Sequence, residues 1–238
     1  MLRAARSGCL LIILFACVVP GALAQEPARY LAGGVPSQPP NIVGWEQATA
    51  AIHIDESGAV TKVTMLRTTP GFDDRVEAAL SGWRFHPATD ADDHPVASDT
   101  VVSFIYRPPV LYNLATIGNP PEARAVPPPD VPFPTSTNTP MYPVGATGDD
   151  VVVMQVDVSA DGTVKKAGVL SAPSGFDEVS LQAAQQWHFR PAQVDGQPAP
   201  AVAYIVVGFR QPVTPPPPLV IAADVAASCS DACDISTE

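Results

Sequence analysis

The sequence contains few of the side chains that carry out chemistry. Its 238 residues include only four cysteines and four histidines. It has no Gly-x-Ser-x-Gly turn, no phosphate-binding glycine loop and no cysteine–histidine pair at catalytic spacing. Nothing in it supplies an activated nucleophile or a matched acid and base. The sequence therefore predicts that the protein is not an enzyme and uses no cofactor.

Metal ligands are also scarce. The acidic turn formed by Asp90, Asp92, Asp93 and His94 could hold a cation, but it lacks the ligand spacing of a calcium loop. The other histidines are His53, His86 and His188, and they do not recur at fixed positions. We expect a solvated loop here and no bound metal.

Positive charge is in short supply. Lysine and arginine number 13 against 24 aspartates and glutamates, which gives a formal net charge of −11. A chain this acidic repels phosphate backbones, so nucleic acid is excluded as the expected partner.

Long apolar runs are absent beyond the N-terminus. Arg3 and Arg6 precede an apolar run from Cys9 to Val19, and Ala22-Leu23-Ala24 provides small residues for cleavage. The run is shorter than the roughly 20 residues that span a bilayer. We interpret 1–24 as a cleaved signal peptide and expect a periplasmic protein. The alternatives are a retained inner-membrane anchor and a lipid-modified Cys17.

Two cysteines would remain after cleavage, Cys229 and Cys233. Export makes a disulfide between them a candidate, and their spacing alone does not decide whether it forms.

Proline marks the predicted joints. The chain has 28 prolines, many of them between Pro108 and Pro143 and in the cluster Pro215 to Pro218, and such segments act as semi-rigid spacers. The predicted order is a signal peptide (1–24), a lead-in (25–41), a first domain (42–110), a proline-rich linker (111–138), a second domain (139–213) and a C-terminal tail (214–238).

The two predicted domains contain the same pattern of residues. Twelve residues of the first recur 104 positions later: Gly58, Val60, Lys62, Leu66, Gly71, Phe72, Asp73, Ala79, Trp83, Phe85, Pro87 and Ala88 match Gly162, Val164, Lys166, Leu170, Gly175, Phe176, Asp177, Ala183, Trp187, Phe189, Pro191 and Ala192. Apart from one lysine, these are turn formers, apolar residues and a tryptophan, so the repeat specifies a fold rather than a reaction.

Hydrophobic periodicity gives each copy the order strand–strand–helix–strand. In the second copy, Val151 to Val158 and Thr163 to Leu170 flank an Asp-Gly turn, and Ala201 to Phe209 forms a third, almost continuously apolar strand. Phe176, Val179, Ala183 and Trp187 recur at helical spacing. The fold class predicted is α+β, with two tandem units, each a three-stranded antiparallel sheet with one packed helix.

The structural motif is Trp-x-Phe-x-Pro. Its residues are Trp83, Phe85 and Pro87 in the first copy and Trp187, Phe189 and Pro191 in the second. The tryptophan closes the helix against the sheet, the phenylalanine enters the same core, and the proline prevents the helix from continuing. These residues are expected to build the fold and not to bind a ligand.

Together with Tyr142-Pro143, Asp161-Gly162 and Gly175-Phe176-Asp177, the segment from Trp187 to Ala192 resembles the C-terminal domain of the TonB family. The resemblance is close in the second copy and looser in the first, where Ile42 to Glu46 replaces the Tyr-Pro lead-in.

The resemblance implies a partner and a binding mode. Domains of this family accept an extended peptide of an outer-membrane receptor at a sheet edge, by strand addition. By that analogy the third strand of the second copy is the candidate edge, and the partner would be an outer-membrane β-barrel receptor or another envelope protein. The predicted partner-binding residues are Tyr142, Pro143, Val202, Tyr204, Val206 and Gly208.

Two other functions stay open. The copies could pair with each other or in a homodimer, which would leave no free edge and make the protein a structural spacer in the envelope. An N-terminal segment that is retained would instead favour an anchored energy transducer.

Overall fold

The computed structural model describes residues 26–36, 46–68, 71–106, 116–118, 122–173 and 175–212. The predicted signal peptide 1–24, the tail 214–238 and both Cys229 and Cys233 lie outside these residues. The elements of the N-terminal half are β1 (Arg29–Ala32), β2 (Glu46–Ile54), β3 (Val60–Arg67), α1 (Asp73–Ser81), β4 (Arg84–His86), β5 (Ala88–Thr89), β6 (Pro95–Val96) and β7 (Ser98–Tyr106). Those that follow are β8 (Thr116–Gly118), β9 (Phe133–Thr139), β10 (Asp150–Val158), β11 (Val164–Ser171), α2 (Asp177–Ala184), β12 (His188–Arg190), β13 (Ala192–Val194), β14 (Gln197–Ala199) and β15 (Ala201–Phe209).

One six-stranded sheet runs through both halves. Its strand order is β11-β10-β15-β7-β2-β3. Neighbouring strands are antiparallel, except that β15 and β7 pair in parallel at the centre. The Thr100 hydroxyl adds a 2.8 Å hydrogen bond to the Val202 carbonyl across this central pair. The halves are therefore joined by backbone pairing and not only by side-chain contact.

Strand pairing repeats between the halves with the spacing of the sequence repeat. Ile52 pairs with Val63, and Val156, 104 positions on, pairs with Ala167. Both β2–β3 and β10–β11 shift register at the same two places, after Thr49 and His53 in the first and after Val153 and Asp157 in the second. Bulges are specific features of a strand pair, so their recurrence shows that the halves share one local architecture.

The helices lie on opposite faces of the sheet. Consecutive strand residues point to opposite faces, and Ala50 packs in the cluster that contains Val76 and Leu80 of α1. Its neighbour Ala51 packs in the cluster that contains Ala184 of α2. Both faces of the central strands are consequently buried, which accounts for the apolar run in β15.

Four small sheets among the described residues were missed by the sequence prediction, two of them the hairpins β5–β6 and β13–β14. β1 pairs with β4, and β9 pairs with β12 on one side and β8 on the other. Tyr30 opposite Phe85 corresponds to Pro134 opposite Phe189, again 104 positions apart. The predicted lead-in 25–41 and linker 111–138 thus contain strands, and in these stretches the expectation of spacers is wrong. Their prolines concealed the strands, because proline removes a backbone donor but is tolerated where a strand needs few ladder bonds.

The mixed α+β class is confirmed, with mostly strands and two helices among the residues that the structure describes. The division into two tandem domains stays a prediction.

Candidate interaction surface

The strand predicted to be the binding edge lies in the middle of the sheet. β15 pairs with β10 along one side and with β7 along the other. The expectation of an open edge at Val202 to Phe209 is therefore wrong. Each half has an apolar third strand, and pairing the two removes both exposed edges at once.

The side chains predicted on this strand serve packing. Tyr204 and Val206 are fully buried. The Tyr204 hydroxyl donates to the Ala28 carbonyl at 2.8 Å and accepts from the Tyr30 amide at 3.2 Å, and burial raises the pKa of this tyrosine. Val202 is half-buried.

Gly208 of β15 leaves room for the aromatic ring of Tyr106 on the neighbouring strand β7. A Cβ at this position would lie 2.2 Å from a ring carbon of Tyr106. The Tyr106 hydroxyl in turn donates to the Pro36 carbonyl at 2.7 Å, which fixes the ring. A glycine is therefore required here by packing.

Tyr142 and Pro143 are buried beside the second core. The Tyr142 ring packs edge-on against Phe176 and Phe209 at centroid distances of 5.5 and 6.4 Å. Its hydroxyl donates to the Gly148 carbonyl at 2.6 Å. Tyr142 and Pro143 thus close the core of the second half.

The tryptophans of the structural motif occupy equivalent sites. Trp83 and Trp187 are buried, and their indole N–H groups donate to the carbonyls of Gly34 and Asn138 at 2.8 and 2.9 Å. The acceptors are themselves 104 positions apart, although the sequence match between them is not visible. The motif ties each helix end to the segment that precedes its unit, at Gly34 just after β1 in the first half and at Asn138 within β9 in the second.

The motif phenylalanines hold the hairpin turns. The Phe85 amide donates to the Gly58 carbonyl and the Phe189 amide to the Gly162 carbonyl, both at 2.8 Å. Gly162 has φ +85°, and a Cβ there would lie 2.0 Å from the Phe189 carbonyl oxygen. Positive φ and close approach together explain the recurring glycine.

An aspartate organises each hairpin turn from a different position. In the first, Asp55 accepts from the amides of Ser57 and Ala59 at 2.9 and 3.0 Å. In the second, Asp161 accepts from the Ser159 hydroxyl and from the amide and hydroxyl of Thr163. These bonds lower the pKa of Asp161 to about 2.

The two outer edges of the sheet differ. At β3, the Leu66 carbonyl accepts from the amides of Arg124 and Ala125 at 2.8 and 3.4 Å, and Leu66 is fully buried. Arg67 stacks 4.5 Å above the ring of Phe133 and donates to the Pro134 carbonyl at 3.2 Å. The segment after the first unit therefore covers this end of β3.

No described residue covers β11 in the same way. Leu170, the counterpart of Leu66, is 39% exposed. Among the described residues, β11 pairs only with β10. Its outward backbone groups are those of an unpaired edge, which is a template for strand addition.

The β11 edge carries two of the three lysines in the sequence. Lys165 and Lys166 are exposed, and neither forms an ion pair within the part of the chain that the structure describes. A shallow pocket of about 160 Å³ lies next to Lys166, between β10 and β11. Its lining residues are Gln155, Asp157, Lys166, Gly168, Val169 and Leu170. We call these six residues the β11 notch.

The acidic turn of the first half is a hydrogen-bonded loop. Asp90, Asp92 and His94 bring possible ligand atoms within 4.8 Å of one another. One oxygen of Asp90 already accepts from the amides of Asp92 and His94, both at 2.9 Å, and these bonds lower the pKa of Asp90. The Asp90 carboxylate is engaged in forming the turn.

Among the described residues, no helix has the length and apolar character needed to cross a membrane.

Comparison with known proteins bears on the second half of the chain. No curated protein matches the sequence. Residues 145–210 match the family described as Gram-negative bacterial TonB protein C-terminal, whereas a second tandem copy is not shown. The domain type is one of protein interaction rather than catalysis. The match over residues 145–210 therefore indicates a TonB-like protein of the cell envelope with a transport-related role.

Proposed function

We propose that the protein is a periplasmic interaction module that accepts an extended segment of an envelope protein at the outer edge of β11. The proposal rests on a contrast between two equivalent leucines. The Leu66 carbonyl accepts hydrogen bonds and its side chain is buried, whereas Leu170 is exposed on β11, whose outer side has no described neighbour.

The choice of β11 follows from the sheet order. Strand addition needs a row of unpaired backbone donors and acceptors. β15 has none to offer because both of its sides are paired, and the end of β3 is covered. β11 is the remaining edge in the half that matches the TonB family.

The partner is proposed to be an outer-membrane β-barrel receptor or another envelope protein. This rests on the family match and on the predicted export of the chain through residues 1–24. An acidic protein of net charge −11 is a poor fit for nucleic acid.

A structural spacer is the second candidate function. It is favoured by one observation, the parallel pairing of β7 with β15, because that alternative expects the copies to pair. It differs from the first proposal in requiring that β11 also be occupied, by a second copy of the chain.

Site-specific photocrosslinking in cells tests the proposal. A photoreactive phenylalanine analogue replaces Leu170, and a matched control replaces Val194, which is 51% exposed and lies in β13 away from the edge. We expect a crosslinked envelope protein from position 170 and none from position 194. Crosslinks only between copies of this chain would favour the spacer, and equal products at both positions would contradict both functions.

A further inference from the structure

The β11 notch has a floor made of glycine. A Cβ built on Gly168 meets no atom within 4 Å, and this glycine lies inside a strand, where glycine weakens the structure unless another group approaches closely. The counterpart in the first half is Thr64, which pairs with Ala51 as Gly168 pairs with Gln155. Packing within the sheet therefore does not require glycine at position 168.

The walls of the notch are long side chains. Residues two apart in a strand lie on the same face, roughly 7 Å from each other, so Lys166 stands beside Gly168. Leu170 completes the lining on the other side, and Gln155 lies opposite Gly168 on β10. The space between them fits one large side chain that enters from the open edge.

We infer that the β11 notch selects its partner: it takes an extended segment that places an aromatic side chain opposite Gly168 and an acidic side chain opposite Lys166. This inference rests on the proposed function and names the chemistry of the segment. A cross-strand aromatic ring covers a glycine on an edge strand and fixes the register of the pair.

Charge complementarity supports the acidic position. Lys166 forms no ion pair among the described residues, although Asp157 lies opposite it on β10. A carboxylate on an added strand would approach Lys166 from its unpaired side. Lysines on an open edge also discourage nonspecific pairing, so the same residue rejects other strands and favours an acidic one.

The probe is a nine-residue peptide, Thr-Val-Glu-Thr-Tyr-Thr-Glu-Val-Thr. Its symmetry places a glutamate two residues from the tyrosine in either strand direction. NMR on the ¹⁵N-labelled purified chain measures the binding of this peptide. It also measures the binding of two altered peptides, one with the tyrosine replaced by alanine and one with both glutamates replaced by lysine. We expect the largest shifts in the amides of β11, and affinity lower by about fivefold for each altered peptide, the size of one good cross-strand pair.

The decisive variant is Gly168→Thr, which fills the notch with the residue found at the same place in β3. The fold is expected to persist, since a Cβ at position 168 meets no atom within 4 Å and threonine occupies the equivalent place in β3. The tyrosine peptide should lose its advantage over the alanine peptide. Thr64→Gly, the reverse change in β3, is the control and should alter no peptide affinity.

The outcomes separate the two levels of the argument. Peptides that all bind β11 equally, or a preference that survives Gly168→Thr, would overturn the inference and leave the proposed function intact. Failure of every peptide and of every envelope protein to protect β11 amides would overturn both. Protection of β11 in the free chain, together with a dimeric mass, would make the occupant a second copy and also overturn both.

Discussion

Leu66 and Leu170 are equivalent residues of the two halves, yet the first is fully buried and the second is 39% exposed. Their strands have the same register with their neighbours, including the same bulges. Leu66 belongs to the buried cluster that contains Phe133 and against which Ala125 packs, and residues 124 and 125 donate their amides to its carbonyl. The outer edge of β3 is therefore covered at Leu66, whereas no described segment covers β11 at Leu170.

Substitution of Gly208 tests the packing of the Tyr106 ring against this residue at the centre of the sheet. Gly208→Ala places a Cβ 2.2 Å from the ring of Tyr106, whose hydroxyl is bonded to Pro36. We expect a loss of about 1–3 kcal/mol in the free energy of unfolding, as for other overpacked sites. Urea unfolding measures it. Gly168→Ala is the control, and an equal loss there would contradict the packing argument.

The turn glycine of the second half makes two separable contributions. Gly162→Ala places a side chain at a residue with φ +85° and brings its Cβ against the Phe189 carbonyl oxygen. Gly148→Ala has the same backbone strain at φ +86°, but its Cβ meets no atom within 4 Å. The control should lose about 1 kcal/mol from backbone strain alone, and Gly162→Ala should lose clearly more. Thermal unfolding of both variants compares them. Equal losses would mean that the contact with Phe189 carries no cost.

The motif tryptophans should report on both halves together. Trp83→Phe removes the donor to the Gly34 carbonyl, and we expect it to cost about 1–3 kcal/mol. Because β7 and β15 belong to one sheet, the amides of β10 should lose protection along with those of β2. Hydrogen exchange measures both sets. Loss confined to the first half would show that the halves unfold independently.

The second hairpin turn should weaken in acid. The pKa of Asp161 is about 2 in the folded chain against an ordinary 3.8, chiefly because the Ser159 hydroxyl and the Thr163 amide bond its carboxylate. A pKa lowered by folding gives a stabilisation that is complete above pH 4 or so and is lost as the pH falls toward 2. Asp161→Asn should therefore flatten the dependence of stability on pH in that window. An unchanged slope would contradict the role of this carboxylate.

Much of the fold could be read from the sequence because it depends on local pattern. Alternation predicted β10 and β11, the Asp-Gly turn was recognisable at Gly162, and the helical spacing from Phe176 to Trp187 predicted α2. The family match over residues 145–210 agrees with the resemblance seen in these motifs.

The parts that were missed depend on long-range pairing. β9 pairs with β12, which lies about 50 residues further along the chain, and its Pro134, Ser136 and Asn138 masked the strand signal of its threonines. The pairing of β15 with β7 joins segments about 100 residues apart. An apolar third strand is compatible with an open edge or with a central one, so periodicity could not decide where the interaction surface lies.

Residue-resolved hydrogen exchange of the free chain tests the central claim most directly. If β15 is central and β11 is an open edge, the amides from Ala203 to Gly208 all exchange slowly, while alternate amides of β11 exchange fast. Fast exchange at alternate positions of β15, with uniform protection of β11, would contradict the account.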